Sequence, residues 1–151
     1  GKEHYEEAAM RRVVERHSPL SGVRVLLVED HALVREVIGR LLVEYGAEVT
    51  ATSGAAEALQ VFERERPDCV MSGIDMPGDD GYALMRTLQA LPRDRGGRTP
   101  TIALTGWTRF EDRDRVLRAG FHFFMPKPVD ARVLVSVVAS LAKNHTFNSD
   151  R

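Results

Sequence analysis

The stretch Val23-Arg24-Val25-Leu26-Leu27-Val28-Glu29-Asp30 decides the fold. Its apolar, β-branched run predicts a short strand buried on both faces, and it stops abruptly on two acids. Immediately downstream, Leu33, Val34, Val37, Ile38, Leu41, Leu42 and Tyr45 recur at helical spacing and end at Gly46, a left-handed stop signal. The same alternation then continues. Glu48–Ala51 predicts a second strand, and Ser53 caps a helix through Arg66 that Pro67 breaks. Cys69–Ser72 is a third strand, followed by a Pro/Gly/Asp loop over Asp75–Asp80 and a helix over Gly81–Leu91. A basic loop, Pro92–Pro100, leads to a fourth strand, Thr101–Leu104, and Thr108 caps a charged helix ending at Ala119-Gly120. Phe121–Met125 is the fifth strand, and Asp130 caps a last helix running to about Lys143.

Five strand–helix repeats with no hairpin turns require a parallel sheet with right-handed crossovers. Helices must cover both faces, which predicts an α/β, doubly wound five-stranded parallel sheet. This unit spans residues 23–143. Residues 1–22 read as a linker or terminal helix, charged over 2–17 and interrupted by Ser18-Pro19 and Ser21-Gly22; the polar residues 144–151 are predicted to be a disordered tail.

The chain has 151 residues, a length suited to one domain with its own core. Its 43% hydrophobic and 28% charged content excludes intrinsic disorder for the bulk. Acids and bases nearly cancel to a net charge of −1, so no global field favours nucleic acid or a membrane surface. No apolar run reaches the length of a membrane span. A single cysteine, Cys69, excludes an internal disulfide and fits a reducing, cytoplasmic setting. Its place on a central strand predicts a buried core residue. The five histidines lack metal-ligand spacing, which argues against zinc.

In doubly wound sheets, sites lie at the carboxyl ends of the strands. Strand one ends in Glu29-Asp30, strand three in Gly73-Ile74-Asp75-Met76-Pro77-Gly78, strand four in Thr105-Gly106-Trp107, and strand five in Met125-Pro126-Lys127-Pro128. An acid pair after a strand is ordinarily a turn or cap, and a lone lysine is ordinarily surface. Their joint placement at one pole is the signal. Asp79 and Asp80, just before Gly81, read as caps of the next helix. No Gly-rich loop joins strand one to its helix, which disfavours a nucleotide-binding enzyme.

The combination Val28-Glu29-Asp30, Met76-Pro77-Gly78-Asp79-Asp80-Gly81, Leu104-Thr105-Gly106 and Pro126-Lys127-Pro128 resembles the receiver domain of response regulators and hybrid sensor kinases, over Val23 to about Ala142. The resemblance implies a CheY-like, flavodoxin-like (βα)5 fold with strand order 2-1-3-4-5, in a bacterial two-component phosphorelay. The long Arg93–Thr99 segment is closer to receivers attached to histidine kinases. Glu29 and Asp30 would hold Mg²⁺, a hard cation wanting carboxylate oxygens. Thr105 would hydrogen-bond a phosphoryl group, Gly106 would leave it room, and Lys127 would pair with the acids and then with the phosphoryl oxygens. Phe124 takes the switch position coupled to Thr105, and the Lys127–Pro128 bond is expected to be cis.

One position departs from the pattern. Where the family carries its phosphoacceptor aspartate, this chain has Gly73, which offers no oxygen for attack on phosphorus. Asp75, two positions on, would partly restore the metal set, leaving a weakened Mg²⁺ site and no required cofactor. Two readings stay open: a pseudo-receiver that binds partners independently of phosphorylation, or an acceptor-dead variant of a conventional phospho-switch. Neither is an enzyme. The implied partner is a histidine kinase or phosphotransfer domain. The nearly all-apolar last helix predicts a partner surface, and the resemblance implies its form, a homodimer through the fourth helix, fifth strand and fifth helix.

Overall fold

The computed structural model describes residues 3–7, 18–77, 81–106 and 110–149. Five strands, β1 (Arg24–Val28), β2 (Glu48–Thr52), β3 (Cys69–Gly73), β4 (Thr101–Thr105) and β5 (Phe123–Pro126), form one parallel sheet in the order β2-β1-β3-β4-β5. The doubly wound α/β topology is therefore as expected. Five helices alternate with them: α1 (Ala32–Glu44), α2 (Ala55–Glu65), α3 (Gly81–Gln89), α4 (Phe110–Arg118) and α5 (Ala131–Ser149).

Alternation along the strands divides the core into two layers. Val25 and Leu27 of β1 join Met71, Ile102 and Leu104 against Ile38 and Leu42 of α1 and Leu134 and Val138 of α5. Leu26 and Val28 face the other way, onto Ala58 and Phe62 of α2 and Leu84 and Leu88 of α3. Ala103 continues that second face towards Tyr82, Met85, Val116 of α4 and Phe121. Because both faces are covered, β3 and β4 are buried at every residue. The register Val28↔Ser72, Gly73↔Leu104 and Thr105↔Pro126 brings the carboxyl ends of β1, β3, β4 and β5 to one edge.

Local chemistry fixes the element ends. The His31 ring nitrogen Nδ1 accepts a long bond from the Val34 amide at 3.4 Å, and Gly46 adopts φ +102° after α1. The α2 cap is Gly54, without a side-chain cap bond, and not Ser53. Arg66, wedged before Pro67, takes the left-handed conformation at φ 49°. Asp130 caps α5 as expected, its Oδ1 accepting from the Arg132 and Val133 amides at 2.9 and 3.2 Å.

Three boundaries differ from the sequence pattern by two residues or more. Helix α3 ends at Gln89, and the following loop contains a 3-10 turn at Arg93–Arg95. Strand β5 begins at Phe123, two residues late, because Phe121 plugs the α3–α4 cluster and the His122 ring accepts the Thr101 amide at 3.1 Å. Helix α5 runs to Ser149, so the tail predicted as disordered from 144 is helical to that point. Neither Gly nor Pro stands in 144–149 to stop it. Residues 3–7 are helical. The rest of the predicted 2–17 helix, the Asp79, Asp80 and Thr108 caps, Gly78 and Trp107 lie outside the described residues.

Candidate functional site

Glu29 follows β1 directly, and its amide donates to the Thr52 carbonyl at 3.0 Å, extending the ladder by one residue. That places its side chain inside the edge, 1% exposed. Across the sheet, the Lys127 amide donates to Thr105 O at 2.8 Å, which anchors the residue just beyond β5. Its ammonium then reaches back to both carboxylate oxygens of Glu29, at 2.9 and 3.1 Å. Lys127 keeps 29% of its side chain exposed, so the pair is sealed on the acid's side and open on the lysine's. A full charge survives such burial only with a partner of this kind. The Lys127–Pro128 peptide is cis.

Gly73 closes β3 against this pair. A Cβ built on it would lie 2.6 Å from Glu29 Oε2 and 3.7 Å from Met76 Cγ. The volume a side chain would need at 73 is thus filled by the glutamate. On its other side, the Gly73 carbonyl sits so close to Gly81 that a Cβ there would be 2.2 Å from the oxygen. Helix α3 can begin this near to β3 only because Gly81 has no side chain. The Gly81 amide returns to Ile74 O at 3.2 Å.

The remaining candidates sit around the pair but are not all gathered onto it. Thr105 ends β4 and is buried, 3% exposed. A Cβ at Gly106 would meet nothing within 4 Å, so open space does lie beside it. Asp30 and Asp75 are both exposed. Phe124 is half-buried on β5, with the Arg113 guanidinium 4.9 Å from its ring centroid and Phe123 stacked at 6.5 Å. Sequence reasoning missed Arg35, whose guanidinium donates to the carbonyls of Glu29 at 2.8 Å and Asp30 at 3.4 Å, fixing the turn that presents both acids. Its only sequence signal is a base on the first turn of α1, where acids are the usual preference. Ser72 points away, its hydroxyl donating to Gly73 O at 2.8 Å. Cys69 is fully buried, and burial pushes its thiol up to about 12, with the Asp68 carboxylate adding to the rise.

The innermost carboxylate of the site is matched first to a cation of the chain itself. Among the described residues no three His, Cys, Asp or Glu side chains converge on a metal-sized point, and Glu29 spends both oxygens on Lys127.

A doubly wound sheet with an acid–lysine crevice at its carboxyl edge is the architecture of a signalling receiver module. The response regulator receiver domain family model matches residues 25–139, and the chain belongs to that family. It is 39% identical over 119 residues to an uncharacterised 14.6 kDa protein of Leptolyngbya boryana, covering 79% of this chain and 89% of that one. It is 30% identical over 139 residues to hybrid signal transduction histidine kinase D of Dictyostelium discoideum, covering 87% of this chain but only 9% of the kinase. The receiver domain of a sensor histidine kinase from Pseudomonas aeruginosa PAO1, solved with magnesium in its active-site cleft, superposes with a TM-score of 0.74 at 31% identity. That likeness covers 82% of this chain and 99% of that one. No helix among the described residues is long and apolar enough to cross a membrane.

Proposed function

We propose that this receiver domain acts without phosphorylation, as a partner-binding module of two-component signalling held in one conformation. Gly73 stands where the family carries its acceptor aspartate. The observation that carries this reading is the position of Gly73 at the end of the central strand, with Glu29 and Lys127 against it. In-line attack on phosphorus needs a nucleophilic oxygen at that point, and glycine supplies none. The module performs no reaction of its own. Its partner is a histidine kinase or a phosphotransfer domain, in keeping with a kinase relative of which this chain matches one segment. Phe123 and Val133, 39% and 45% exposed, support pairing of two copies through α4, β5 and α5.

Incubation with acetyl phosphate and Mg²⁺, followed by intact-mass measurement, tests the reading. The chain is expected to stay unmodified while Gly73→Asp gains one phosphoryl group. Labelling of the unaltered chain, at Asp75 or elsewhere, overturns it.

A further inference from the structure

We infer that Glu29 occupies the volume left free at Gly73 as the permanent counter-ion of Lys127, and that this pairing closes the crevice to divalent cations. The distance of 2.6 Å from a Cβ at 73 to Glu29 Oε2 is shorter than real contacts allow. A side chain at 73 and the present placement of Glu29 therefore exclude each other. Glycine at 73 leaves room for the inward glutamate, and any side chain there would have to displace the carboxylate end.

The consequence for metals follows from charge and coordination. Mg²⁺ demands near-octahedral oxygen ligands, usually one or two carboxylates plus waters. The innermost carboxylate here is already neutralised by an ammonium that contacts both its oxygens. Drawing Glu29 out to a cation would leave Lys127 beside a doubly charged ion and leave the volume at Gly73 unfilled. Asp30 and Asp75 are both exposed, so either would hold a cation only weakly against bulk water. Lys127 supplies at Glu29 the positive charge that a metal ion would otherwise bring. This rests on the phosphorylation-independent reading only in taking Mg²⁺ as the cation to be excluded.

Two measurements on the full chain test it. The first is calorimetric titration with Mn²⁺ at up to about 10 mM, beyond the range of weak oxygen-ligand sites. The unaltered chain is expected to give no saturable heat, and Gly73→Asp to bind at least about ten-fold more tightly than that ceiling implies. The second is the acetylation rate of Lys127, read by mass spectrometry. Gly73→Ala, which forces Glu29 out, and Glu29→Gln, which removes its charge, are both expected to raise that rate several-fold. Should Gly73→Ala fail to fold, Glu29→Gln carries the second measurement. Saturable Mn²⁺ binding by the unaltered chain overturns the inference, as does a Gly73→Asp protein that binds no better. Lys127 reactivity unchanged in the variants also overturns it. Metal binding without phosphoryl labelling sinks this inference and leaves the proposed function standing; labelling sinks the proposed function.

Discussion

Lys127, one residue beyond β5, and Arg113, from α4, both bring a cation to the same strand, but into different surroundings. Lys127 meets a carboxylate that is 1% exposed. Arg113 is itself exposed and lies over the half-buried ring of Phe124. Coulomb energy scales inversely with the local dielectric, so the first contact is strong and the second weak. Burial has a second effect. Removing Lys127 strands a charge that water cannot reach, whereas removing Arg113 merely returns a ring face to solvent. The asymmetry between making and breaking a contact is thus steep at one end of β5 and shallow at the other.

The largest test of that contrast is Lys127→Met, which keeps the side-chain length and deletes the charge. It is expected to lower stability by about 3–5 kcal/mol in urea or guanidinium unfolding at pH 7, because Glu29 is left buried and unpaired. Combining it with Glu29→Gln is expected to recover most of the loss. A Lys127→Met cost under about 1 kcal/mol, the range of exposed pairs, would erase the difference between the two ends of the strand. Cys69 supplies a buried ionisable group beside an acid, Asp68. Its thiol pKa is raised in the folded state, from 9.0 to about 12, first by burial and then by Asp68. The folded protein therefore holds this proton where the unfolded chain has lost it. That contribution is fully present below pH 9.0 and is lost as pH rises towards 12. Relative to Cys69→Ala, the protein should lose about 1.4 kcal/mol of stability per pH unit above the unfolded thiol's pKa. Parallel stability–pH curves for the two proteins would mean that the thiol ionises without penalty.

How far the sequence revealed these features depended on which interactions defined them. Strands β3 and β4 were legible because burial on both faces writes a continuous apolar run, as in Thr101-Ile102-Ala103-Leu104. The edge strand β5 was placed less well. Its burial is broken, with Phe123 exposed and Met125 buried, while the apolar Phe121 before it belongs to a helix cluster. Sheet-end geometry predicted that Glu29, Gly73, Thr105 and Lys127 share a pole, since the parallel register follows from the strand–helix alternation. It could not predict that Glu29 would turn into the space at Gly73. That outcome depends on side-chain placement between residues 29, 73 and 127, and no local pattern encodes it. The end of α5 is obscured for a simpler reason: a polar stretch suggests disorder, yet no helix breaker stands in it.

A smaller effect is expected where β5 hands over to α5. Asp130→Ala removes the carboxylate that accepts two amide protons at the start of the helix, and is expected to cost about 1 kcal/mol. Asp130→Asn keeps an acceptor oxygen and should restore most of it. Because the cap is exposed, its loss is answered by water and should remain far below that of Lys127→Met. A loss as large as the lysine's would mean that the cap also positions Lys127 through Pro128 and Val129.

The smallest effect belongs to Arg113. Arg113→Ala is expected to cost about 0.5–1 kcal/mol, the range of a cation over an exposed aromatic face. A double-mutant cycle with Phe124→Leu isolates the pairwise part from changes in the helix itself. Raising salt from 0.1 to about 1 M shortens the screening length from roughly 10 to 3 Å and should shrink this coupling. The Glu29–Lys127 coupling, with its acid out of reach of solvent ions, should change less under the same treatment. If the Arg113–Phe124 coupling instead exceeded about 2 kcal/mol and ignored salt, that site would be as desolvated as the crevice. The two ends of β5 would then differ in partner and not in solvent, and burial would not set the strength of either contact.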